Sequence, residues 1–232
     1  MKRNNITEWN ASYTRGENNI LYPQSEVIKF LNRYISKKKS FVDIDRKLKI
    51  NNDEKIVCLD FACGVGIHAI TAEEFGCKSY GVDISEIAIK KAQQNAQFKG
   101  LSDLKDRLTI LDTDYKKLPF SDKFFNFSIA ESCLDSMHFE IAKNNFSELK
   151  RITKNYIYFS LIGSRVTGKA GEKRIDTEHE KGTIQCYFDR DLLNELIGGE
   201  MNRLIYFNRI VEKDLHINKI IDERYFCIYS CD

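Results

Sequence analysis

From Lys55 onward the chain alternates between two hydrophobic periods. "KIVCLDF" (55–61) is a short apolar run suited to a buried parallel strand, and Ile67 to Phe75 has helical spacing. "KSYGVDI" (78–84) reads as a second strand. "SEIAIKKAQQNAQF" (85–98) is an amphipathic helix opened by Ser85 as N-cap and closed by Gly100. "RLTILDTD" (107–114) and "FFNFSIAES" (124–132) supply two further strands, followed by a helix, "FEIAKNNFSELKRI" (139–152), and a fifth strand, "NYIYFSLI" (155–162). Strands spaced by helices in this way predict a doubly wound α/β sheet with right-handed crossovers. Upstream, Pro23 can start a helix with apolar positions Val27, Ile28, Leu31 and Ile35. Downstream the rhythm breaks. Residues 163–182 carry four glycines and nine charges without periodicity, the composition of a lid or of a disordered loop. A strand-like "TIQCYF", a helix "DRDLLNELIG" and two β-rich stretches close the chain.

At 232 residues, 42% of them hydrophobic, the chain can bury one substantial core. Its mean hydropathy is −0.43, and no apolar stretch approaches the ~18–20 residues of a membrane span. The polar N-terminal run lacks the apolar block of a signal peptide, which predicts a soluble, cytoplasmic protein with no membrane partner. Thirty-six basic against 34 acidic residues argue against an obligate nucleic-acid coat. Seven scattered cysteines without a CxxC pair predict free thiols and no metal cluster. Between Lys37 and Lys49 six basic and two acidic residues form either a solvated linker or a patch for phosphate or acid groups.

The chemistry centres on "IVCLDFACGVGIHA" (56–69), a strand that ends in Asp60 and a loop with Gly64 and Gly66 that leads into a helix. Ligands of open parallel sheets sit beyond the carboxyl ends of the strands, where glycine lets backbone approach closely. Gly64, Gly66 and Ala69 also fit the GxGxxA spacing of dinucleotide sites. Asp60 bears on the choice, because a carboxylate here opposes a pyrophosphate by a few kcal/mol at an effective dielectric of ~20. S-adenosylmethionine, with a sulfonium and an ammonium and no phosphate, suits an acid better. Asp83, 23 positions later at the tip of the second strand, is placed to accept ribose hydroxyls of either cofactor.

Together "VCLDFACGVGIHA", "YGVDISEIAIKKA" and "LDTDYKKLPFSDKFFNFSIAESCLDSM" resemble the class I S-adenosylmethionine-dependent methyltransferases of the small-molecule type, over roughly residues 55–160. The resemblance implies a Rossmann-like, mostly parallel seven-stranded sheet with helices on both faces and an antiparallel last strand, matching "ERYFCIYS". It implies one domain over 1–232: a helical lid and basic linker (1–54), a cofactor-binding core (55–161), and an acceptor-side loop with C-terminal strands (162–232). Asp60, Ala62, Gly64 and Gly66 would surround the methionine part, and Asp83 with Ile84 the ribose and adenine. Asp114 would accept a hydrogen bond from the adenine amino group, with Tyr115 beside it. Glu131 and Ser132 would line the methyl-transfer crevice. In the upstream segment that resembles a family lid, Trp9, Tyr13, Arg15 and Tyr22 are candidates to pack on the cofactor or acceptor, with core packing as the alternative. Ala62 stands where the family generally has glycine, which is tolerated if φ is negative there. Asn126 stands where Asp is frequent.

A hydroxyl acceptor benefits from a general base, and Glu131, Asp135 and His138 are the candidates near the fourth-strand exit. His179 can reach over as part of a lid. Arg165, with Lys169, Lys173 and Arg174, hints at an acidic or phosphorylated acceptor, and a solvated loop explains them equally well. The motifs of DNA-amine and cytosine-C5 methylation are absent, since the two prolines precede Gln24 and Phe120. The expected reaction is methyl transfer to N or O of a small molecule, S-adenosylhomocysteine being the product. RNA and protein acceptors and the oligomeric state stay open. The competing readings are a non-catalytic S-adenosylmethionine-binding protein and an NAD-dependent oxidoreductase.

Overall fold

The computed structural model describes residues 5–40, 42–51, 54–112 and 115–232. Its centre is a seven-stranded sheet built on β3 (Val57–Phe61), β4 (Lys78–Asp83), β5 (Leu108–Ile110), β6 (Phe125–Ala130), β7 (Thr153–Ile162), β10 (Leu204–Asp214) and β11 (Lys219–Ser230). Two short hairpins complete the strands: β1 (Ser36–Lys38) with β2 (Ile44–Arg46), and β8 (Gly171–Arg174) with β9 (Ile184–Tyr187). The order across the large sheet is β10-β11-β7-β6-β3-β4-β5. Neighbours from β7 to β5 are parallel. β11 runs antiparallel to both β7 and β10, so it alone reverses direction.

Burial explains why the central strands read as continuous apolar runs. All six residues of β6 are buried, as expected for a parallel strand covered on both faces. On one face α6 (Phe139–Ile152) and α7 (Arg190–Leu196) place Phe146, Leu149 and Leu193 against Phe159, Leu161 and Cys227. On the other, α2 (Ser25–Phe30) continues into a π turn at Leu31–Ile35 and buries Val27, Phe30, Leu31 and Ile35 against Phe127, Ile129 and Tyr158. Small residues let α3 (Ile67–Glu74) and α4 (Glu86–Phe98) approach each other through Ala69, Ala92 and Ala96. The remaining helices are α1 (Ile6–Arg15) and the single turn α5 (Ser102–Lys105). Among the described residues no helix is long and apolar enough to cross a membrane.

Capping follows the sequence. The Ser85 hydroxyl accepts the Ala88 N–H at 3.1 Å, and the Asp189 carboxylate accepts the Leu192 N–H at 2.9 Å. Asn126, where an acid is frequent, accepts the Val57 N–H at 2.8 Å and so fastens the start of β3 to β6.

Two expectations about the polar stretches change. The basic segment after Ser36 is not a bare linker, because Ser36–Lys38 pairs with Ile44–Arg46. Residues 163–182 are not structureless either: a 3-10 turn at Ser164–Val166 leads into β8, and Glu172 and Lys173 lie opposite Cys186 and Gln185 of β9. Charge-rich strands of three or four residues lack the alternation that would announce them. The third predicted strand is also shorter than expected, ending at Ile110.

Phe30 is 1% exposed and its ring meets Phe127 and Tyr158 at 5.6 and 5.4 Å. Phe30→Ala is expected to cost about 3–5 kcal/mol in urea unfolding, the usual toll of an emptied aromatic site. A loss below about 1 kcal/mol would show that the N-terminal helix is not anchored to the sheet through this ring.

Candidate active site

The strand order reverses between β3 and β6, and the carboxyl ends of the parallel strands open there into a cleft of about 510 Å³. That lies within the about 300–1,000 Å³ usual for small-molecule sites. The loop from Ala62 to Gly66 forms one wall. Gly64 and Gly66 have φ of +53° and +79°, and so does Ala62, at +53°. The condition under which alanine would be tolerated, a negative φ, is therefore not met. The loop turns through the left-handed region there, at a cost to a non-glycine residue of about 1–2 kcal/mol. Gly66 permits the close packing of α3 on α4, since a Cβ on it would meet the Ala92 Cβ at 2.9 Å.

Asp83 ties this wall together. Its Oδ2 accepts the Gly64 N–H at 2.9 Å and its Oδ1 accepts the Ser85 N–H at 2.8 Å. Burial pushes its pKa up, and the backbone N–H groups of Ser85, Gly64 and Ile84 oppose the shift. It faces the cleft beside Ile84. Asp60, by contrast, is 2% exposed and turned beneath the loop, where it accepts the Ala69 N–H at 2.9 Å. Burial raises its pKa to about 8. It does not line the cleft, so the electrostatic case against a pyrophosphate cannot rest on a free carboxylate at the surface of the site.

α1 roofs the cleft. Tyr13 is buried against Val65 and Ala88, with Trp9 packed beside it, and both rings line the cleft. The Ser85 hydroxyl donates to Asn10 Oδ1 at 2.6 Å, and Lys91 reaches the Tyr13 carbonyl and Asn19. Tyr22 sits at the mouth, 72% exposed. Arg15 turns outward to Glu17 at 2.6 Å and does not line the cleft. The two residues expected at the acceptor end differ. Arg165 is exposed on the outer side of its loop, whereas His179 does border the cleft.

Next to the main cleft, Phe61, Val82, Leu111, Tyr115 and Met137 line a small recess of about 50 Å³. The Tyr115 hydroxyl donates to Asn145 Oδ1 at 2.5 Å, and burial raises the Tyr115 pKa. Asp114 lies outside the described residues. His138 borders this recess with Nδ1 2.8 Å from Glu172, which also accepts the Phe139 N–H and so caps α6. Asp135 is fully buried and stands away from the cleft. It accepts the Ile162 N–H at 2.8 Å and lies 3.6 Å from Arg224, a fastening for the end of β7 rather than a group that can meet a ligand.

Glu131 differs from both. It lies in the cleft just past β6. Ser132, at φ +50°, donates its hydroxyl to Glu131 Oε1 at 3.1 Å and its N–H to Ser160 Oγ at 2.8 Å. Burial raises the Glu131 pKa to about 6, while the neighbouring Tyr158 and Ser160 hydroxyls oppose the shift. Glu131 Oε2 is fully buried, and neither it nor Tyr158 Oη has a partner within hydrogen-bonding geometry.

Sequence reasoning missed His68. It projects from the first turn of α3 into the cleft, and its Nε2 accepts the Gln24 N–H at 3.3 Å. Burial lowers its pKa to about 4, so it is neutral. Its position two residues after Gly66 was the available signal. Glu180, Gln185 and Arg224 also border the cleft, the first two on the β8–β9 hairpin and the third on β11.

Residues 59–159 match the methyltransferase domain family. That segment is similar to a methyltransferase domain. An uncharacterized protein of Haemophilus influenzae is 35% identical over 105 residues, 45% of this chain and 40% of that protein. The chain thus spans about two fifths of that relative's length. A Methanosarcina mazei S-adenosylmethionine-dependent methyltransferase superposes with a TM-score of 0.59 at 22% identity, over 77% of this chain and 93% of that one. The Burkholderia thailandensis 1,6-didemethyltoxoflavin-N1-methyltransferase, solved with its acceptor and S-adenosylhomocysteine, gives 0.63 at 12% identity, over 97% and 86%. These likenesses are of fold. The matched segment runs from β3 to β7 and contains the Ala62–Gly66 loop, Asp83 and Glu131, while the α1 roof lies outside it.

A Cβ on Gly64 would stand 2.6 Å from Tyr13 Oη and 3.6 Å from the next ring atom. Gly64→Ala should therefore destabilise the domain by about 1–3 kcal/mol through crowding. Combined with Tyr13→Phe it should recover part of that loss, a coupling of about 0.5–3 kcal/mol in a double-mutant cycle of thermal unfolding. Strict additivity would mean that the roof does not rest on the loop.

Proposed function

We propose that this chain transfers a methyl group from S-adenosylmethionine to a nitrogen or oxygen atom of a small molecule. The residues suit that cofactor. Each Asp83 oxygen takes one backbone N–H and keeps lone-pair capacity for ribose hydroxyls. The recess of Leu111, Tyr115 and Met137 offers a flat apolar seat for adenine. Trp9, Tyr13 and the Ala62–Gly64 backbone would enclose the methionine part. The bound cofactor supplies an electrophilic methyl group, and this chain supplies orientation and water exclusion, effects that can account for much of such a rate.

The observation that carries the reading is Glu131. Its carboxylate stands in a cofactor-sized cleft, steadied by the Ser132 hydroxyl at Oε1 and neighboured by the Tyr158 and Ser160 hydroxyls. With a pKa near 6 it is ionised at neutral pH and basic enough to take a proton from an acceptor. Two covers favour a small acceptor. The Glu180 N–H donates to Glu17 Oε2 at 3.0 Å, joining the segment after α1 to the loop between β8 and β9. The small-molecule N-methyltransferase among the structural neighbours is consistent with this choice.

Calorimetric titration with S-adenosylmethionine, S-adenosylhomocysteine and NAD should give micromolar binding of the first two and none of the third. Asp83→Ala should weaken S-adenosylhomocysteine binding by about 1–3 kcal/mol. NAD binding alone would overturn the assignment. Once an acceptor is in hand, kcat/KM should rise with pH to a plateau above about 6, as Glu131 loses its proton. Glu131→Gln should lower kcat by about 10²–10⁴-fold and remove that limb. A variant with full rate and an unchanged profile would exclude Glu131 as the base.

A further inference from the structure

The cleft has a charge imbalance that the cofactor contacts leave unused. Of its acids, Asp83 is engaged by the loop backbone. Among the described residues Glu131 and Glu180 have no full cationic partner: Glu131 has only hydroxyl neighbours, those of Ser132, Tyr158 and Ser160, and Glu180 meets Gln185 Nε2 at 3.4 Å and His179 Nε2 at 3.7 Å. The Glu180 side chain is only 14% exposed. The basic groups that border the cleft are committed or neutral. Arg224 lies 3.2 Å from Asp222 and 3.6 Å from Asp135, and His68 accepts a backbone N–H. Arg165, Lys169, Lys173 and Arg174, which in the sequence hinted at an acidic acceptor, are all exposed and none lines the cleft. At the mouth stand an aromatic ring, Tyr22, and an aliphatic side chain, Ile20, with Ile162 buried in the wall.

Two low-exposure acids and an aromatic rim make a site for an organic cation. We propose that the acceptor is a small primary or secondary amine that enters as its ammonium, with its nitrogen at Glu131, its charge shared with Glu180 and its hydrocarbon part against Tyr22. This assignment rests on the methyltransferase reading and narrows it. The ammonium gives one proton to Glu131. The freed nitrogen lone pair forms the bond to the methyl carbon as the carbon–sulfur bond breaks, its electron pair remaining on sulfur. The product leaves as the methylated ammonium, and Glu131 releases its proton to solvent. A carboxylate or phosphate acceptor would be repelled by both acids, and an alcohol would leave Glu180 without a role.

The test uses the full chain saturated with S-adenosylhomocysteine, titrated by calorimetry with benzylamine, n-butylamine and the carboxylates and alcohols of matching skeleton. The amines are expected to bind at least about tenfold more tightly than their matched acids and alcohols, the scale of one ion pair at an effective dielectric of ~20. Glu180→Gln should remove most of that preference, and Glu131→Gln the rest, with S-adenosylhomocysteine affinity unchanged in the first variant as the control for folding. Equal or tighter binding of the carboxylates, absence of binding by every amine, or a preference untouched by both substitutions would overturn the proposal. Failure of the wild-type chain to bind S-adenosylhomocysteine at all would instead remove the methyltransferase reading beneath it.

Discussion

The cleft depends on one buried carboxylate held by two backbone N–H groups. Asp83 joins the loop after β3 to the turn that opens α4, so its position sets the distance between the two walls. Burying a charge is unfavourable unless its lone pairs are satisfied. Here the N–H groups of Gly64 and Ser85 satisfy one lone pair on each oxygen and leave others facing the cleft. The next residue but one extends the network. Ser85 caps α4 through its hydroxyl oxygen and donates the same hydroxyl to Asn10, drawing α1 down over the site. Wall, helix cap and roof are therefore linked through three consecutive positions, 83 to 85.

The alternation of strand and helix from Lys55 to Ile162 was legible because each element there has a single burial pattern. β6 is buried on both faces and reads as an apolar run, and α6 presents one apolar stripe bounded by polar residues. Asp83, Gly64 and Glu131 were legible as site residues for a related reason: a strand end in a parallel sheet fixes where the following residue points. The limits are equally physical. Asp60 near the end of β3 and Asp135 in the turn after β6 are acids too, yet the helix N-terminus and the end of β7 offer them N–H groups, and each turns inward. Arg15 and Arg165 lie on segments that do approach the cleft, but their long side chains reach solvent or a nearer acid instead.

His68 and Glu180 show what local pattern leaves out. His68 sits in a helix whose other residues are mostly core, and only the chain returning at Gln24 makes it part of the site. Glu180 belongs to a stretch whose charges suggested solvent. It is fixed by a contact with Glu17, far away in sequence, and that contact also turns the basic residues of the same loop to the outside. The electrostatic character of the cleft is thus decided by tertiary structure, and the loop's basic side chains are exposed, as the solvated alternative expected.

The placement of β11 bears on how the chain is made. The strand lies between β7 and β10, yet it is the last of the seven to be synthesised. Until it arrives, β7 presents an open edge of apolar sequence and β10 has no neighbour in the sheet, a pairing hazard for any unfinished chain. The Glu180–Glu17 contact, which closes a span of 163 residues, also forms late. Translation consequently completes the parallel half of the sheet, with the loop at Gly64 and Gly66, before the C-terminal hairpin seals its edge. The interval between completion of β7 and pairing of β11 is when protection by a chaperone has most to offer.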